Sequence, residues 1–247
     1  MRILVASVFA ISCLAQTPRF DVTSVKLTPP GGVIFFKITA DPGRLKADNA
    51  SLGQLIEFAY NVPEAKIIGQ LPPDRFDVEG QVDGTHTRAE HRLMVQSLLA
   101  ERFGLRLHRE TREMRVEALV PGKSPKFQAT DITDPDPAGF HFHSGKLPGH
   151  SAVEGRSISL EGLANYLTDH YHDRLIVDAT GLKGVYDFTV DYEVDSEKVA
   201  DPRVPFADAR SSLMDDLVAA LGLKIEPGRR ASVEVLVIDH VSLPEAN

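Results

Sequence analysis

The chain has 247 residues, of which 43% are hydrophobic and 25% are charged, a balance typical of globular proteins. This length is enough for one large domain or for two domains of roughly 100 residues each. The formal net charge of −8, with no stripe of Lys and Arg, argues against nucleic acid as a partner, because a phosphate backbone would repel such a surface.

The N-terminus, MRILVASVFAISCLAQ, carries one Arg and then an apolar run from Ile3 to Ala15. A run of this length is too short to span a bilayer comfortably and is typical of a secretory signal. We predict a signal peptide over residues 1–15 with cleavage after Ala15. Lipid attachment at Cys13 is the alternative, although the three residues before it form a weak lipobox. Cys13 is the only cysteine, so the exported chain is predicted to contain no disulfide and no thiolate nucleophile. No later apolar run approaches 18 residues, so no membrane span is predicted there.

An internal repeat is the strongest pattern in the sequence. Residues 51–69, SLGQLIEFAYNVPEAKIIG, align without a gap with residues 159–177, SLEGLANYLTDHYHDRLIV, at an offset of 108. Three further segments match in the same order, and the offset grows to 118 because the loops differ in length: 74–80 with 184–190, 102–108 with 220–226, and 116–120 with 233–237. This order predicts a tandem duplication.

The repeat divides the chain into predicted domains. The first α+β repeat covers residues 17–120 and the second covers residues 157–247. Residues 121–156, which include the loop-like TDITDPDPAG, are predicted to be a linker. Residues 195–210, DSEKVADPRVPFADAR, are predicted to be a mobile insertion in the second repeat.

Each repeat predicts the same elements in chain order. A helix begins after an N-cap serine, Ser51 or Ser159, and is followed by a short apolar strand and an alternating strand. A second helix ends at Gly104 or Gly222, and the alternating segments that follow predict a hairpin. The predicted fold class is α+β, a tandem duplication of a helix-strand-strand-helix-hairpin unit with small, mostly antiparallel sheets.

A set of motifs carries a resemblance: RFDVTSVK, SLGQLIEFAY, DRFDVEG, LLAERFGLRLHRETREM, VDATGLKGVYDFTVDY, LGLKIEP and VEVLVIDHVSLPEAN. Together they resemble the soil-associated family of exported bacterial proteins, expanded in acidobacteria and described only as a domain of unknown function. The resemblance implies export and a repeated α+β fold, and it implies no catalytic residues. The order of elements is also similar to the short N-terminal domain of secretins and TonB-dependent receptors, which implies protein interaction.

Two groups of histidines are candidate metal ligands. In the segment DHYHD, His170 and His172 point about 200° apart on a helix and share a face only in an extended chain. The aligned segment of the first repeat is NVPEA, so the repeat needs neither histidine, which favours a polar helix exit. The second group is His141, His143 and His150 in HFHSGKLPGH, of which His141 and His143 would share a strand face. The five histidines between 141 and 172 could converge on a zinc or copper ion if the linker folds over the helix. Solvated loop histidines are the alternative, and we predict no metal site.

The acidic residues predict structural roles more readily than catalysis. Asp77 and Asp187 occupy equivalent positions of the two repeats, which favours capping or pairing with a basic residue. The sequence contains no GxSxG, no P-loop and no dinucleotide-binding GxGxxG motif. We therefore predict no catalytic residue and no cofactor.

These observations predict an exported, soluble, non-enzymatic binding or interaction module of the cell envelope. Its partner would be another envelope protein or a small ligand. One alternative is a metal-dependent or carboxylate-based hydrolase that uses the region from His141 to Asp178, including Asp169 and Asp173. A regulatory domain for an envelope sensor, bound through exposed sheet edges, is the other alternative.

Overall fold

The computed structural model describes residues 17–29, 36–130, 139–146, 150–171, 174–193 and 214–244. Within these ranges, helices and small sheets alternate along the chain, which confirms the predicted α+β class. Several predictions concern residues outside these ranges. They are the signal peptide, the insertion at 195–210, the candidate ligand His172 and the candidate acid Asp173. No helix in the described ranges is long and apolar enough to cross a membrane.

The first sheet has four antiparallel strands in the order β1-β5-β3-β2. They are β1 (Val22–Leu27), β2 (Lys37–Asp41), β3 (Arg44–Ser51) and β5 (Arg75–Gln81). Helices α1 (Leu52–Tyr60) and α2 (Arg88–Arg102) pack on this sheet around a buried core. Helix α1 begins where predicted, because the Ser51 side chain accepts a hydrogen bond from the Gln54 amide, and Gln54 bonds back to the Ser51 amide.

The second sheet also has four antiparallel strands, in the order β7-β11-β9-β8. They are β7 (Gln128–Thr130), β8 (Gly139–Ser144), β9 (His150–Ser159) and β11 (Val185–Glu193). Helix α3 (Leu160–Tyr171) and the helical residues 214–220, here α4, pack on it. The segment predicted to be a linker, 121–156, thus supplies β7, β8 and most of β9. Residues 140–143, FHFH, alternate between phenylalanine and histidine, which is a strand pattern. The Asp- and Pro-rich residues before them favoured a loop instead.

A β-bulge interrupts both sheets at corresponding places. Asn49 in β3 and Ser157 in β9 adopt positive φ angles of 53° and 51°. The amide of Asn49 donates a hydrogen bond of 2.9 Å to Asp77 Oδ1, and the amide of Ser157 donates one of 2.7 Å to Asp187 Oδ1. The two aspartates therefore satisfy backbone groups that the bulge removes from the ladder, which is the structural role expected for them.

The third sheet, here the long sheet, contains the two longest strands and corrects the predicted hairpins. Strand β6 (Arg106–Pro121) pairs antiparallel with β12 (Leu223–His240) instead of folding back on itself. The sequence between the two halves of β6 has no turn residue, and Gly228, with φ of 82°, lies in a bulge of β12 where a turn was expected. Strand β10 (Ile176–Asp178) pairs parallel with β6, and β4 (Ile67–Ile68) pairs parallel with β12.

The long strands connect the two hydrophobic cores. Leu236 of β12 is buried in the core of the first sheet, and Leu119 of β6 is buried in the core of the second sheet. Each long strand therefore contributes to the core on which the other half of the chain depends.

Candidate ligand-binding site

A cavity of about 480 Å³ lies where the end of α1, the first turns of α3 and the long sheet meet. Its apolar wall includes Val62, Ala164 and Val233. Its longer polar and charged side chains are Tyr60, Lys66, Arg109, Glu161, Asn165, Asp178 and Glu234. Because these residues come from both halves of the chain, the cavity exists only when the two halves are packed together.

Lys66 is the buried cation of this cavity. It ends a 3₁₀ turn, Glu64–Lys66, immediately before β4, and only 8% of its surface is exposed. Its ammonium donates a hydrogen bond of 2.9 Å to Asn165 Oδ1 on α3. Burial lowers the pKa of Lys66, and the charges of Glu161, Asp169 and Glu234 oppose that shift. Among the described residues, no carboxylate lies close enough to form an ion pair with it, so its hydrogen-bond partner is a neutral amide.

The remaining charged groups of the cavity are one ion pair and two carboxylates that form no ion pair with a described residue. Arg109 of β6 forms an ion pair with Glu234 on the neighbouring β12. Glu161, in the first turn of α3, and Asp178, at the end of β10, are exposed. One oxygen of Asp178 accepts hydrogen bonds from the Thr180 amide and hydroxyl, at 2.9 and 2.7 Å. The site thus combines an inner cation with carboxylates at its mouth.

Three carboxyl groups lie near one another where the two halves meet: Glu57 on α1, Glu64 in the 3₁₀ turn and Asp169 on α3. Burial, followed by the nearby charges of Asp169 and Glu64, raises the pKa of Glu57 to about 8. Burial and then the charge of Glu64 raise the pKa of Asp169 to about 7, while a hydrogen bond from the Glu64 amide and the charge of Lys66 oppose the shift. Asp169 is the first residue of DHYHD, so that segment contributes an acid to the contact between the two halves.

The candidate histidines within the described residues, which include His141, His143 and His170, do not converge. His141 and His143 are exposed on β8, at the edge of the second sheet. Their neighbour Phe140 stacks on Tyr166 of α3, with ring centroids 4.1 Å apart, so the two histidines point to the opposite face. His170 lies on α3, where its Nδ1 is 2.7 Å from the Tyr166 carbonyl oxygen. The described residues contain no group of three His, Cys, Asp or Glu side chains arranged to hold a metal ion.

Sequence reasoning missed Lys66, Arg109 and Glu57. Their residue types are common on surfaces, and no spacing distinguishes them. One signal was present: Lys66 aligns with Arg174 in the repeat, so a basic residue precedes the short strand in both halves. The burial of Lys66, however, depends on Asn165, which is 99 residues away in the chain.

Residues 53–241 match the model of the family described as "Protein of unknown function (DUF3738)". The chain belongs to this family. The DUF3738 match runs from the second residue of α1 to the residue after β12, and it includes every polar residue of the cavity. No curated protein and no solved structure matches the chain. The acidobacterial origin and the likeness to secretin domains stay predictions.

Proposed function

We propose that the protein is an exported binding module that holds a small molecule in the cavity around Lys66. The observation that carries this proposal is a buried ammonium whose partner in the described residues is a neutral amide. Burying a charge is costly unless an opposite charge or several hydrogen bonds compensate it, and a bound anionic group would supply that compensation. A concave site with an apolar wall and a few convergent polar groups is also typical of small-molecule binding.

We further propose that the module arose by tandem duplication. The support is the gapless alignment of residues 51–69 with 159–177, together with the equivalent strand orders of the first and second sheets. The matching bulges at Asn49 and Ser157 add to it, because each is stabilised by an aspartate from the equivalent strand. In this proposal the cavity, which residues of both copies line, lies where the two copies meet.

Export belongs to the same proposal and rests on the apolar N-terminal run that ends near Ala15. Cleavage after Ala15 would place Gln16 at the new N-terminus and would remove the only cysteine. The mass of the protein recovered from the envelope fraction tests this step directly. A mass that retains the first 15 residues contradicts it, and a lipid adduct at Cys13 identifies lipoprotein processing instead.

The binding function is tested by incubating the purified exported protein with a small-molecule extract of the envelope and identifying what it retains by mass spectrometry. We expect a small molecule that the parent retains and that Lys66→Met does not. Lys26→Met, an exposed lysine on β1, is the matched control and should behave as the parent. If the parent retains nothing, or if Lys66→Met retains the same molecule equally well, the proposal fails.

A further inference from the structure

We infer that the ligand of the Lys66 cavity is a small zwitterion, an amino acid or short peptide whose carboxylate meets Lys66 and whose ammonium meets Glu161 and Asp178. This inference rests on the proposed binding function and adds the chemical class of the ligand. It follows from where the charges of the cavity lie and from which of them are already compensated within the chain.

At the inner end of the cavity, Lys66 offers a positive charge and N–H donors to a carboxylate. Lys66 carries three N–H donors, and one of them is used by Asn165 Oδ1 at 2.9 Å. That bond fixes the ammonium, since a buried side chain with a directed hydrogen bond cannot swing freely into solvent. A ligand carboxylate would accept charge-assisted hydrogen bonds from the donors that remain, and such bonds are about twice as strong as neutral ones.

At the outer end of the cavity, two exposed carboxylates offer negative charge to a cation. Arg109 and Glu234 neutralise each other, so their pair adds no net charge to the site. Glu161 and Asp178 are left as exposed carboxylates on the lining, and no described basic side chain forms an ion pair with either of them. An ammonium group at this end of the cavity would be attracted by their negative charges.

Ligands with a single charge fit this arrangement less well. An organic anion is attracted by Lys66 but repelled by Glu161 and Asp178. A simple cation is attracted by those carboxylates but repelled by the buried ammonium. A zwitterion gains at both ends and brings no net charge into the cavity. Val62, Ala164 and Val233 offer apolar surface for a small side chain, and the volume of about 480 Å³ accommodates more than one residue.

Calorimetric titration of the full exported chain tests the inference. The probes are the free amino acids and a library of dipeptides with free termini, each hit being repeated as its N-acetyl and C-amide derivatives. We expect at least one free-terminus probe to bind and both capped derivatives to bind at least about tenfold more weakly, since each cap removes one charged interaction.

Two variants assign the ends of the ligand. Lys66→Met should weaken the free peptide at least about tenfold and leave the residual affinity of its C-amide derivative unchanged. Glu161→Gln should weaken the free peptide about threefold and leave the N-acetyl derivative unchanged, because an exposed pair contributes less than a buried one. Lys26→Met is the control for a lost surface charge, and a thermal melt of each variant verifies folding.

The outcomes separate the ligand class from the binding function. If no free-terminus probe binds, or if a capped derivative binds as tightly as the zwitterion, the inference is overturned. The proposed function survives that result when an extract still yields a molecule whose retention depends on Lys66. If neither experiment yields a Lys66-dependent ligand, both proposals fail.

Discussion

Lys66 and Arg174 are aligned basic residues that precede the two edge strands of the long sheet, and their surroundings differ. Lys66 precedes β4 and its hydrogen-bond partner is the neutral side chain of Asn165. Arg174 precedes β10, donates a hydrogen bond of 2.6 Å to Glu117 and lies with its guanidinium 4.1 Å from the centre of the Tyr171 ring. Arg174 is thus paired with a charge of the chain itself, whereas the ammonium of Lys66 faces the cavity.

The difference follows from side-chain chemistry. A guanidinium is planar, stacks on aromatic rings and donates several hydrogen bonds in fixed directions, so Arg174 suits a permanent structural contact. An ammonium is a compact charge on a flexible stem, and it binds an exchangeable anion without needing one orientation. The comparison indicates that Arg174 stabilises the fold, whereas Lys66 is available for a ligand.

The largest expected effect is the loss of folding stability when Arg174 is replaced. Arg174→Met leaves the half-buried Glu117 without its cation and removes the stacking on Tyr171, so we expect the free energy of unfolding to fall by about 2 kcal/mol. Lys66→Met removes a buried charge that lacks an ionic partner and should cost less than about 0.5 kcal/mol or stabilise the fold. Urea unfolding measures both. Equal losses in the two variants would contradict the comparison.

The next effect concerns the pH dependence of stability. Because the pKa of Glu57 is raised from 4.5 to about 8, the folded state holds a proton that the unfolded state releases. This contribution is fully present below the unfolded pKa and is lost as the pH rises through the folded pKa, so stability should fall between about pH 5 and about pH 9, by on the order of 1 to 2 kcal/mol. Glu57→Gln should flatten this fall.

Urea titrations at several pH values measure the slope for Glu57→Gln and for the parent. Glu101→Gln alters an exposed acid that is paired with Arg19, and it should keep the parental slope. A parental slope in Glu57→Gln would show that this carboxyl does not hold the proton.

A smaller effect compares the two bulges. Within the described ranges, Asp77 accepts hydrogen bonds from the Asn49 amide and the Thr28 hydroxyl, whereas Asp187 accepts one from the Ser157 amide. We expect Asp77→Ala to cost about 1.5 kcal/mol and Asp187→Ala about 1 kcal/mol, because each leaves backbone polar groups unpaired. Thermal melts measure the difference. Asp77→Asn keeps an acceptor oxygen and should recover most of the loss, and failure to do so would shift the explanation to charge.

The smallest expected effect is that of metal removal. His141 and His143 lie on one face of the second sheet, while His170 lies on the helix that covers the other face. We therefore expect a chelator to change the melting temperature by less than about 1 °C, since a bound metal would stabilise the folded state by mass action. A fall of several degrees, together with stoichiometric metal in the purified protein, would require a site built with residues such as His172.

Local features were predictable from the sequence. Ser51 and Ser159 cap α1 and α3 as expected, and Gly104 and Gly222 adopt the positive φ angles that end the second helix of each half. These features depend on residues a few positions apart, so composition and spacing are enough to find them. The alternation that marks β5 and β11 is equally local.

The pairing of the long strands and the site were not predictable in the same way. Alternation shows that Arg106–Pro121 is extended, but it does not say which strand is its neighbour, and a partner more than 100 residues away replaced the expected local hairpin. Strand pairing depends on backbone groups that every residue carries, so the sequence alone leaves several partners open.

The sequence by itself therefore determined the α+β class, the helix ends and the family to which the chain belongs. The tertiary structure alone decided that β6 joins β12, and that Lys66 is buried beside Asn165 and faces a cavity lined from both halves. The physical reason is distance along the chain. Caps and alternation are set by neighbours within a few residues, whereas the burial and charge environment of a lysine are set by whichever distant side chains the fold brings to it.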